Sequence, residues 1–161
     1  MRRLILIRHA KSSHKHLGLD DHERPLNRRG ERDAVAMARH IADKDEMLDV
    51  IFTSTAARAI DFAQLISEFS GAALEPDLSF YTFRADALLE ILCNLPDNIN
   101  RVAVVAHNPA ITQVVNHLVG ANLDNVPTAG VVAIDCHVDS WESLRNTDCD
   151  MDYFDYPKML Q

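Results

Sequence analysis

The sequence predicts an α/β fold, a three-layer α/β/α sandwich whose central sheet is mostly parallel. Two strongly apolar runs, residues 4–7 and 102–106, are typical of strands that are buried on both faces of a sheet. Segments with helical spacing of apolar residues alternate with the strands, and right-handed crossovers then make the strands parallel. No repeat, linker or boundary divides the 161 residues, so residues 1–161 are expected to form one domain.

Composition and charge exclude several classes of protein. The net charge of −8 is the opposite of what a general nucleic-acid-binding protein carries. No apolar run is long enough to span a bilayer, and Arg8 interrupts the first run too early for a signal peptide. The three cysteines are an odd number without a CxxC motif, which is typical of reduced thiols. We therefore expect a cytoplasmic protein without nucleic-acid or membrane partners.

The first strand leads through a polar loop over residues 11–27 to a predicted helix over residues 28–43. Asn27 is a suitable N-cap for this helix, because its side chain can accept a hydrogen bond from the first turn. Gly30 is unusual in a first turn, since glycine lowers helix stability. Close packing against a neighbouring backbone would explain this glycine, and so would simple tolerance of it.

A second strand is predicted over residues 50–53. Ser54 or Thr55 is expected to cap the helix that follows, and Gly71 is suited to end it in a left-handed conformation. Residues 74–78 resemble an edge strand, because proline at position 76 cannot donate to a sheet.

The second half of the chain repeats the pattern. A third helix is predicted over residues 84–94, and the strand over residues 102–106 follows it. Asn108, with proline after it, predicts the start of a fourth helix that closes at Gly120. The remaining predictions are a strand over residues 131–136, a turn around Trp141 and a last strand over residues 151–154.

Histidine and arginine side chains follow the predicted strands at the carboxyl edge of the sheet, where α/β proteins bind ligands. Arg8 and His9 follow the first strand, and His107 follows the strand over residues 102–106. Arg58 falls in the first turn of a helix, where the helix dipole disfavours a cation unless an anion binds nearby. Arg8 and His9 alone are equally consistent with two solvated polar residues at a strand end.

Two arginines beside a helix N-terminus can hold a dianionic phosphoryl group by bidentate hydrogen bonds. Positive charge nearby lowers the pKa of a histidine and keeps its imidazole neutral and nucleophilic. One histidine can then attack phosphorus while the other donates to the phosphoryl oxygens. Because the arginines neutralise these oxygens, no metal and no cofactor is expected.

The ordered motifs resemble those of the histidine phosphatase superfamily, in its phosphoglycerate-mutase-like branch 1. They are RHA at residues 8–10, Ser54 with Arg58-Ala59, and HNP at residues 107–109. Further motifs resemble the small SixA-type phosphohistidine phosphatases. They are RHAKSS at residues 8–13, RPLNxxG at residues 24–30, and Trp141 followed by FDYPK at residues 154–158.

The resemblance implies a phosphoglycerate-mutase-like fold and a phosphatase. It implies that His9 is the nucleophile that accepts the phosphoryl group, and that Arg8, Arg58 and His107 form the phosphate pocket. Arg24 and Asn108 are further phosphate-binding candidates. The implied substrate is phosphohistidine on a partner protein such as a phosphotransfer domain, or a small phosphorylated molecule.

The sequence departs from the family pattern at two places. Phe62 stands where relatives commonly have threonine, and its place on the apolar helix face predicts a buried position. The glutamate that serves mutase-type relatives as a general acid has no obvious counterpart, since Glu75 and Asp86 are the nearest carboxylates and are typical of solvated charges. The short stretch between Arg58 and His107 also leaves no room for a helical lid.

Three alternatives remain open from the sequence. The chain could be a phosphatase or mutase of the same fold that acts on small phosphate esters. It could be a metal-binding module built on His14, His16 and His22, although no second cluster completes a ligand set. It could also be a non-catalytic domain that binds phosphate, although four buried polar groups are costly without a ligand.

Overall fold

The computed structural model describes residues 1–16 and 18–161, so the predicted loop over residues 11–27 includes one position, 17, outside the described residues. Strands and α-helices alternate through most of this described part. Its elements are β1 (Arg2–Arg8), α1 (Arg28–Asp43), β2 (Val50–Thr53), α2 (Ala57–Ser70), β3 (Leu74–Pro76), α3 (Ala85–Cys93), β4 (Arg101–Ala106), α4 (Ala110–Val119), β5 (Val131–Cys136) and β6 (Asp150–Asp155). Short 3-10 helices lie at Asp21–Glu23, Leu78–Phe80, Trp141–Asn146 and Pro157–Leu160.

The strands form one sheet in the order β3-β2-β4-β1-β5-β6. Neighbouring strands from β3 to β1 are parallel, whereas β5 runs antiparallel to both β1 and β6. The mostly parallel sheet of an α/β fold is therefore confirmed. The position of β3 at one edge is also as predicted.

Alternate residues of β1 face the two helical layers. Ile5 and Ile7 pack with α1 and α2, whereas Leu4 and Leu6 pack with α3 and α4. All four side chains are fully buried, which confirms that the apolar run at the start of the chain is a strand covered on both faces. Phe62 is likewise buried in the core on the α1 and α2 side, as its place on the helix predicted.

The first turn of α1 shows why the chain has glycine at position 30. The side chain of Asn27 accepts a hydrogen bond from the backbone N–H of Gly30 at 2.8 Å, which confirms the predicted cap. A Cβ atom on Gly30 would lie 2.0 Å from the carbonyl oxygen of Lys11. Close packing, not tolerance, explains this glycine, and it holds α1 against the segment that follows β1.

Two predicted helix caps are wrong. The N-cap of α2 is Ala56, because Ser54 still bonds through its backbone N–H to Val105 of the sheet. The N-cap of α4 is Pro109, one residue later than predicted, and the side-chain oxygen of Asn108 accepts from the backbone N–H of Thr112. Both polar side chains belong to the candidate site described below.

Other boundaries differ by a few residues. β3 ends at Pro76 because Asp77 caps a 3-10 helix by accepting from the N–H of Ser79 at 2.9 Å. α3 is one residue shorter at each end than predicted, and β6 is longer. Trp141 is fully buried and begins a 3-10 helix, with its indole N–H donating to the carbonyl of Ile99. Among the described residues, no helix has the length and apolar character needed to cross a bilayer.

Candidate active site

The register of β1 and β4 brings two histidines together. Arg8 pairs with Ala106 in this parallel register, so His9 and His107 leave the sheet side by side at its carboxyl edge. Their ring centroids are 5.0 Å apart. Arg58, from the first turn of α2, lies beside both rings, and all three side chains are buried. The sequence-predicted residues therefore converge, although they come from three separate elements.

His9 is held in one orientation by its own backbone. Its Nδ1–H donates to the carbonyl oxygen of Ala10 at 2.7 Å, which leaves the lone pair on Nε2. The Nε–H of Arg58 faces this Nε2 atom at 3.4 Å. Burial lowers the pKa of His9 to about 4, and the charges of Arg58 and Arg8 act in the same direction, against the bond to Ala10. The ring is therefore neutral at pH 7, with the lone pair of Nε2 directed at Arg58.

His107 is held from the opposite side. Its Nε2 atom hydrogen-bonds the hydroxyl of Ser54 at 2.7 Å, and its Nδ1 atom lies 3.5 Å from Nη2 of Arg58. Burial lowers the pKa of His107 to about 3, and the proximity of His9 and Arg58 adds to this effect. With Nε2 engaged by Ser54, Nδ1 is the nitrogen available to a ligand.

Arg58 is oriented by a residue that sequence reasoning missed. Its Nη1 donates to the backbone carbonyl of Asp21 at 2.6 Å, and its Nη2 donates to the Asp21 carboxylate at 2.9 Å. The hydroxyl of Tyr81 also donates to this carboxylate, at 2.7 Å. Burial alone would raise the pKa of Asp21, but the bonds from Tyr81 and Arg58 lower it to about 2. Asp21 is therefore ionised at pH 7.

Arg8 has a guanidinium without a carboxylate partner among the described residues. Its Nη1 donates to the carbonyl of Val126 at 3.0 Å and to the side-chain oxygen of Asn125 at 3.4 Å. Its Nε atom is buried and has no hydrogen-bond partner in the described chain. Burial lowers the pKa of Arg8, and repulsion from Arg58 adds to this. A buried donor without a partner is costly unless a ligand satisfies it.

Neither of the two further candidates hydrogen-bonds His9 or His107 in the described chain. Arg24 donates to the Asp21 carboxylate at 2.9 Å and also contacts the hydroxyl of Ser12. Its charge acts on the pKa of His9, but neither histidine ring is among its hydrogen-bond partners. Asn108 donates to Asn125 at 2.7 Å, the same side chain that Arg8 contacts, and so holds the segment beside Arg8.

The two carboxylates nearest in sequence to the missing general acid, Glu75 and Asp86, do not reach this site. Asp86 is exposed and pairs with the adjacent Arg84, whereas Glu75 lies exposed on the edge strand. His22 bonds the hydroxyl of Thr55 at 2.7 Å. Within residues 1–16 and 18–161, no group of three or more histidine, cysteine, aspartate or glutamate residues has the arrangement to hold a metal ion.

Sequence reasoning also missed the aromatic side of the site. Tyr81 and Phe83 contact His107, with ring centroids 5.3 Å and 5.2 Å away. Both come from the loop between β3 and α3, where no periodic pattern marks them. The clustering of charges over residues 20–24 was the one available signal for Asp21, and it was interpreted only as a polar loop.

Comparison with known proteins identifies the family. The model of the histidine phosphatase superfamily (branch 1) matches residues 4–81, which include His9, Arg24 and Arg58. An uncharacterized chloroplastic protein of Arabidopsis thaliana is 30% identical over 153 residues, which cover 88% of this chain and 69% of that protein.

Solved structures agree over nearly the whole chain. A protein from Agrobacterium tumefaciens assigned as the phosphohistidine phosphatase SixA has a TM-score of 0.83 and 26% identity, covering 97% of this chain and 98% of that one. The protein histidine phosphatase SixA in complex with tungstate has a TM-score of 0.81 and 16% identity, covering 99% of each chain. A mycobacterial glucosyl-3-phosphoglycerate phosphatase has a TM-score of 0.73 and 17% identity, covering 97% of this chain and 100% of that one. The expectation of a phosphatase with this fold is confirmed, and the chain belongs to the histidine phosphatase superfamily.

Proposed function

We propose that this phosphatase hydrolyses phosphohistidine on a partner protein, through a covalent phosphohistidine intermediate on His9. The observation that carries the proposal is the state of His9. Its Nδ1–H is committed to Ala10, so the lone pair is on Nε2, where it accepts a long hydrogen bond of 3.4 Å from the Nε–H of Arg58. A neutral imidazole oriented in this way is ready to attack phosphorus.

The phosphoryl group would bind between Arg8, Arg58 and His107. The two guanidiniums supply positive charge, and Nδ1 of His107 can donate to a phosphoryl oxygen when Nε2 accepts from Ser54. The unpartnered Nε–H of Arg8 supplies a further donor. Binding a dianion here would offset both the burial of these cations and their mutual repulsion. The partial burial and mutual repulsion of these cations support a phosphate ligand.

The reaction then proceeds in two transfers. Nε2 of His9 bonds to phosphorus as the P–N bond of the substrate breaks, and the electron pair of that bond goes to the substrate nitrogen. Water next attacks phosphorus, the bond between phosphorus and His9 breaks, and inorganic phosphate leaves with neutral His9 restored. Arg8 and Arg58 stabilise the charge on the equatorial oxygens in both transfers, which is the main form of catalysis available to phosphoryl transfer.

The identity of the leaving group follows from the proton donors at the site. An alkoxide leaves poorly without a general acid, whereas the imidazole of phosphohistidine leaves readily once its other nitrogen is protonated. Asp21 is the carboxylate bonded to Arg58, and its pKa of about 2 keeps it ionised, so it has no proton to give. Burial and the bond to Asp21 raise the pKa of Tyr81, which makes it a weaker acid. The site therefore favours phosphohistidine over alkyl phosphates.

The test of the nucleophile is a rapid quench into alkaline denaturant with a radiolabelled phosphohistidine protein. The peptide that contains His9 should carry acid-labile, base-stable phosphate, and His9→Ala should abolish both the label and turnover. His117→Ala is a matched control, because His117 is exposed on α4 and should leave both unchanged. Undiminished labelling of His9→Ala would refute the assignment.

The test of the substrate compares kcat/KM for the phosphohistidine protein, phosphoserine and a sugar phosphate. We expect the phosphohistidine protein to be turned over best by a wide margin. Equal or faster hydrolysis of the esters would instead favour a phosphatase for small phosphate esters on the same fold.

A further inference from the structure

An exposed aromatic ring borders the histidine pair. The ring centroid of Phe83 lies 5.2 Å from that of His107, and the two planes are tilted by 48°. Phe83 is 42% exposed, so much of its ring faces solvent while the rest contacts the site. His107 is the shared neighbour of Phe83 and His9, which places Phe83 at the margin of the site.

Packing does not account for Phe83. The nearby Phe80 is 1% exposed and stacks on Phe52 within the core, at a centroid distance of 5.4 Å. Phe83 belongs to neither of the two buried clusters, and leaving an aromatic ring in water forgoes the favourable free energy of burial. Phe83 therefore packs on Tyr81 and His107 beside the site and not in the core.

The support beneath Phe83 is rigid. Tyr81 meets Phe83 edge to face at 5.5 Å, and its hydroxyl is fixed by the Asp21 carboxylate. The ring of His22 packs edge-on against Tyr81 at 4.8 Å. Because Asp21 also orients Arg58, the aromatic rings and the phosphate-binding guanidinium share one anchor. Phe83 is held at a defined distance from the phosphoryl site.

We propose that Phe83 is a specificity-determining residue that stacks on a planar aromatic leaving group as the phosphoryl group transfers to His9. This inference rests on the proposed function and adds the residue that selects the leaving group. In-line transfer puts the leaving group on the side of phosphorus away from His9. The ring pairs of Phe83 are with His107 and Tyr81, so a ring that leaves past His107 meets an aromatic face.

The imidazole of phosphohistidine is such a planar group. Aromatic rings whose centroids lie about 4.5–7 Å apart attract each other beyond simple area burial, and the effect corresponds to roughly two- to tenfold in a rate or an affinity. An aliphatic alcohol from a sugar or a serine gains nothing comparable. The phenol that leaves from an aryl phosphate is also planar, so an aryl phosphate is tested as a separate substrate.

The kinetic test uses Phe83→Leu, which keeps most of the apolar volume and removes the ring. We expect kcat/KM for a phosphohistidine peptide and for phenyl phosphate to fall about fivefold, within the range for aromatic pairs. For phosphoramidate, which has the same P–N bond but no ring, kcat/KM should stay unchanged. Phe83→Tyr keeps the ring, so it should retain the wild-type ratio of kcat/KM for the phosphohistidine peptide to kcat/KM for phosphoramidate. Phe69→Leu is the control, since Phe69 is 39% exposed on α2 beside Arg39.

A binding test separates this inference from the proposed function. Phenylphosphonate and methylphosphonate differ by the ring and cannot be hydrolysed, so calorimetry with each measures the contact without turnover. Phe83→Leu should weaken phenylphosphonate about fivefold and leave methylphosphonate unchanged. Equal effects on both probes would mean that Phe83 only supports His107, and would overturn the inference. Ring-dependent binding without turnover of phosphohistidine would refute the proposed function alone.

Discussion

An arginine lies at each end of β1, Arg3 buried and Arg8 partly buried, and the protein surrounds the two guanidiniums in opposite ways. Arg3 is paired with three carboxylates, at 2.9 Å from Glu46, 2.8 Å from Asp135 and 2.7 Å from Asp152. Burial opposes its charge, but the bonds to these carboxylates raise the pKa of Arg3. In the described part of the chain Arg8, at the carboxyl end, bonds the neutral oxygens of Asn125 and Val126, and its pKa is lowered.

This difference separates a structural cation from one that is kept for a ligand. A buried charge normally has a partner, because removing it from water is costly. At the amino end of β1 the chain itself supplies three carboxylates to Arg3. At the carboxyl end Arg58 is paired with Asp21, whereas Arg8 has no carboxylate partner in the described chain and is repelled by Arg58. The negative charge that would compensate Arg8 belongs to the substrate. Stability should therefore depend on the first end and activity on the second.

The largest expected effect is on stability at the amino end. The Glu46 side chain is buried and bonds Arg3, Arg101 and Tyr153. Glu46→Ala should lower the free energy of unfolding by about 3–5 kcal/mol, because Glu46 is the buried one of the three carboxylates bonded to Arg3 and its loss also leaves the Tyr153 hydroxyl without its acceptor. Urea unfolding measures this loss, and kcat/KM per folded molecule should not change.

Glu90→Ala is the matched control for Glu46. Glu90 pairs with Arg145 at 2.5 Å, but its side chain is 66% exposed, so its removal should cost less than about 1 kcal/mol. A Glu46→Ala variant as stable as Glu90→Ala would show that the buried cluster is not structural.

The converse effect is expected at the carboxyl end. Arg58→Ala should lower kcat for phosphohistidine by about 10²- to 10³-fold, since it removes charge stabilisation from the transferring phosphoryl group. The free energy of unfolding should change by less than about 1 kcal/mol, because losing the pair with the partly exposed Asp21 is offset by relief of repulsion at Arg8. Arg58→Lys should recover only part of the rate, as lysine lacks the planar fork. A variant that unfolds readily would place Arg58 with the structural cations.

The pH dependence of the free energy of unfolding should also distinguish the two ends of β1. The pKa values of His9 and His107 in the folded protein are about 4 and about 3, below the ordinary value near 6.5 for the unfolded chain. Between these values the unfolded state binds more protons than the folded state. Stability is therefore full above about pH 6.5 and is lost as the pH falls towards 4. The loss between pH 7 and pH 5 should approach about 2 kcal/mol per histidine.

Urea unfolding at pH 7 and pH 5 measures this dependence. The double variant His9→Asn/His107→Asn lacks both groups, so its stability should fall less than that of the wild type over the same interval. Equal losses in the two proteins would mean that the histidines are not buried in neutral form. An added phosphate analogue should favour protonated His107 and reduce the loss in the wild type.

The parts of the site that the sequence could predict are those marked by local sequence patterns. The carboxyl ends of β1 and β4 were predictable, since apolar runs that end in histidine recur at both strands and parallel register aligns them. Arg58 was predictable because a cation in a first turn opposes the helix dipole. Such signals are local, and they need no knowledge of distant contacts.

Residues fixed by long-range contacts left no such signal. Asp21, Tyr81 and Phe83 lie in loops or short 3-10 turns without periodicity, and only the folded chain brings them to the histidines. The wrong helix caps have a related cause. Ser54 was expected to cap α2, but its hydroxyl bonds His107, and Asn108 was displaced from its cap while its amide holds Asn125 beside Arg8. Their polar side chains hold the site together, so cap propensity alone misplaced both helix starts.

The smallest expected effect is that of chelation, which should leave activity unchanged. Magnesium or zinc would need a set of carboxylate, thiolate or imidazole ligands. At the carboxyl end the carboxylate of Asp21 is already bonded to Arg58, Arg24 and Tyr81, and the positive charges of Arg8 and Arg58 repel a cation. Those guanidiniums also supply the charge that a metal provides to phosphoryl oxygens elsewhere. Phosphohistidine turnover should therefore survive prolonged dialysis against EDTA, measured with and without added Mg²⁺ or Zn²⁺. A loss that either ion restored would show that Arg8 and Arg58 do not carry the phosphoryl charge alone, and the contrast between the two ends of β1 would no longer explain catalysis.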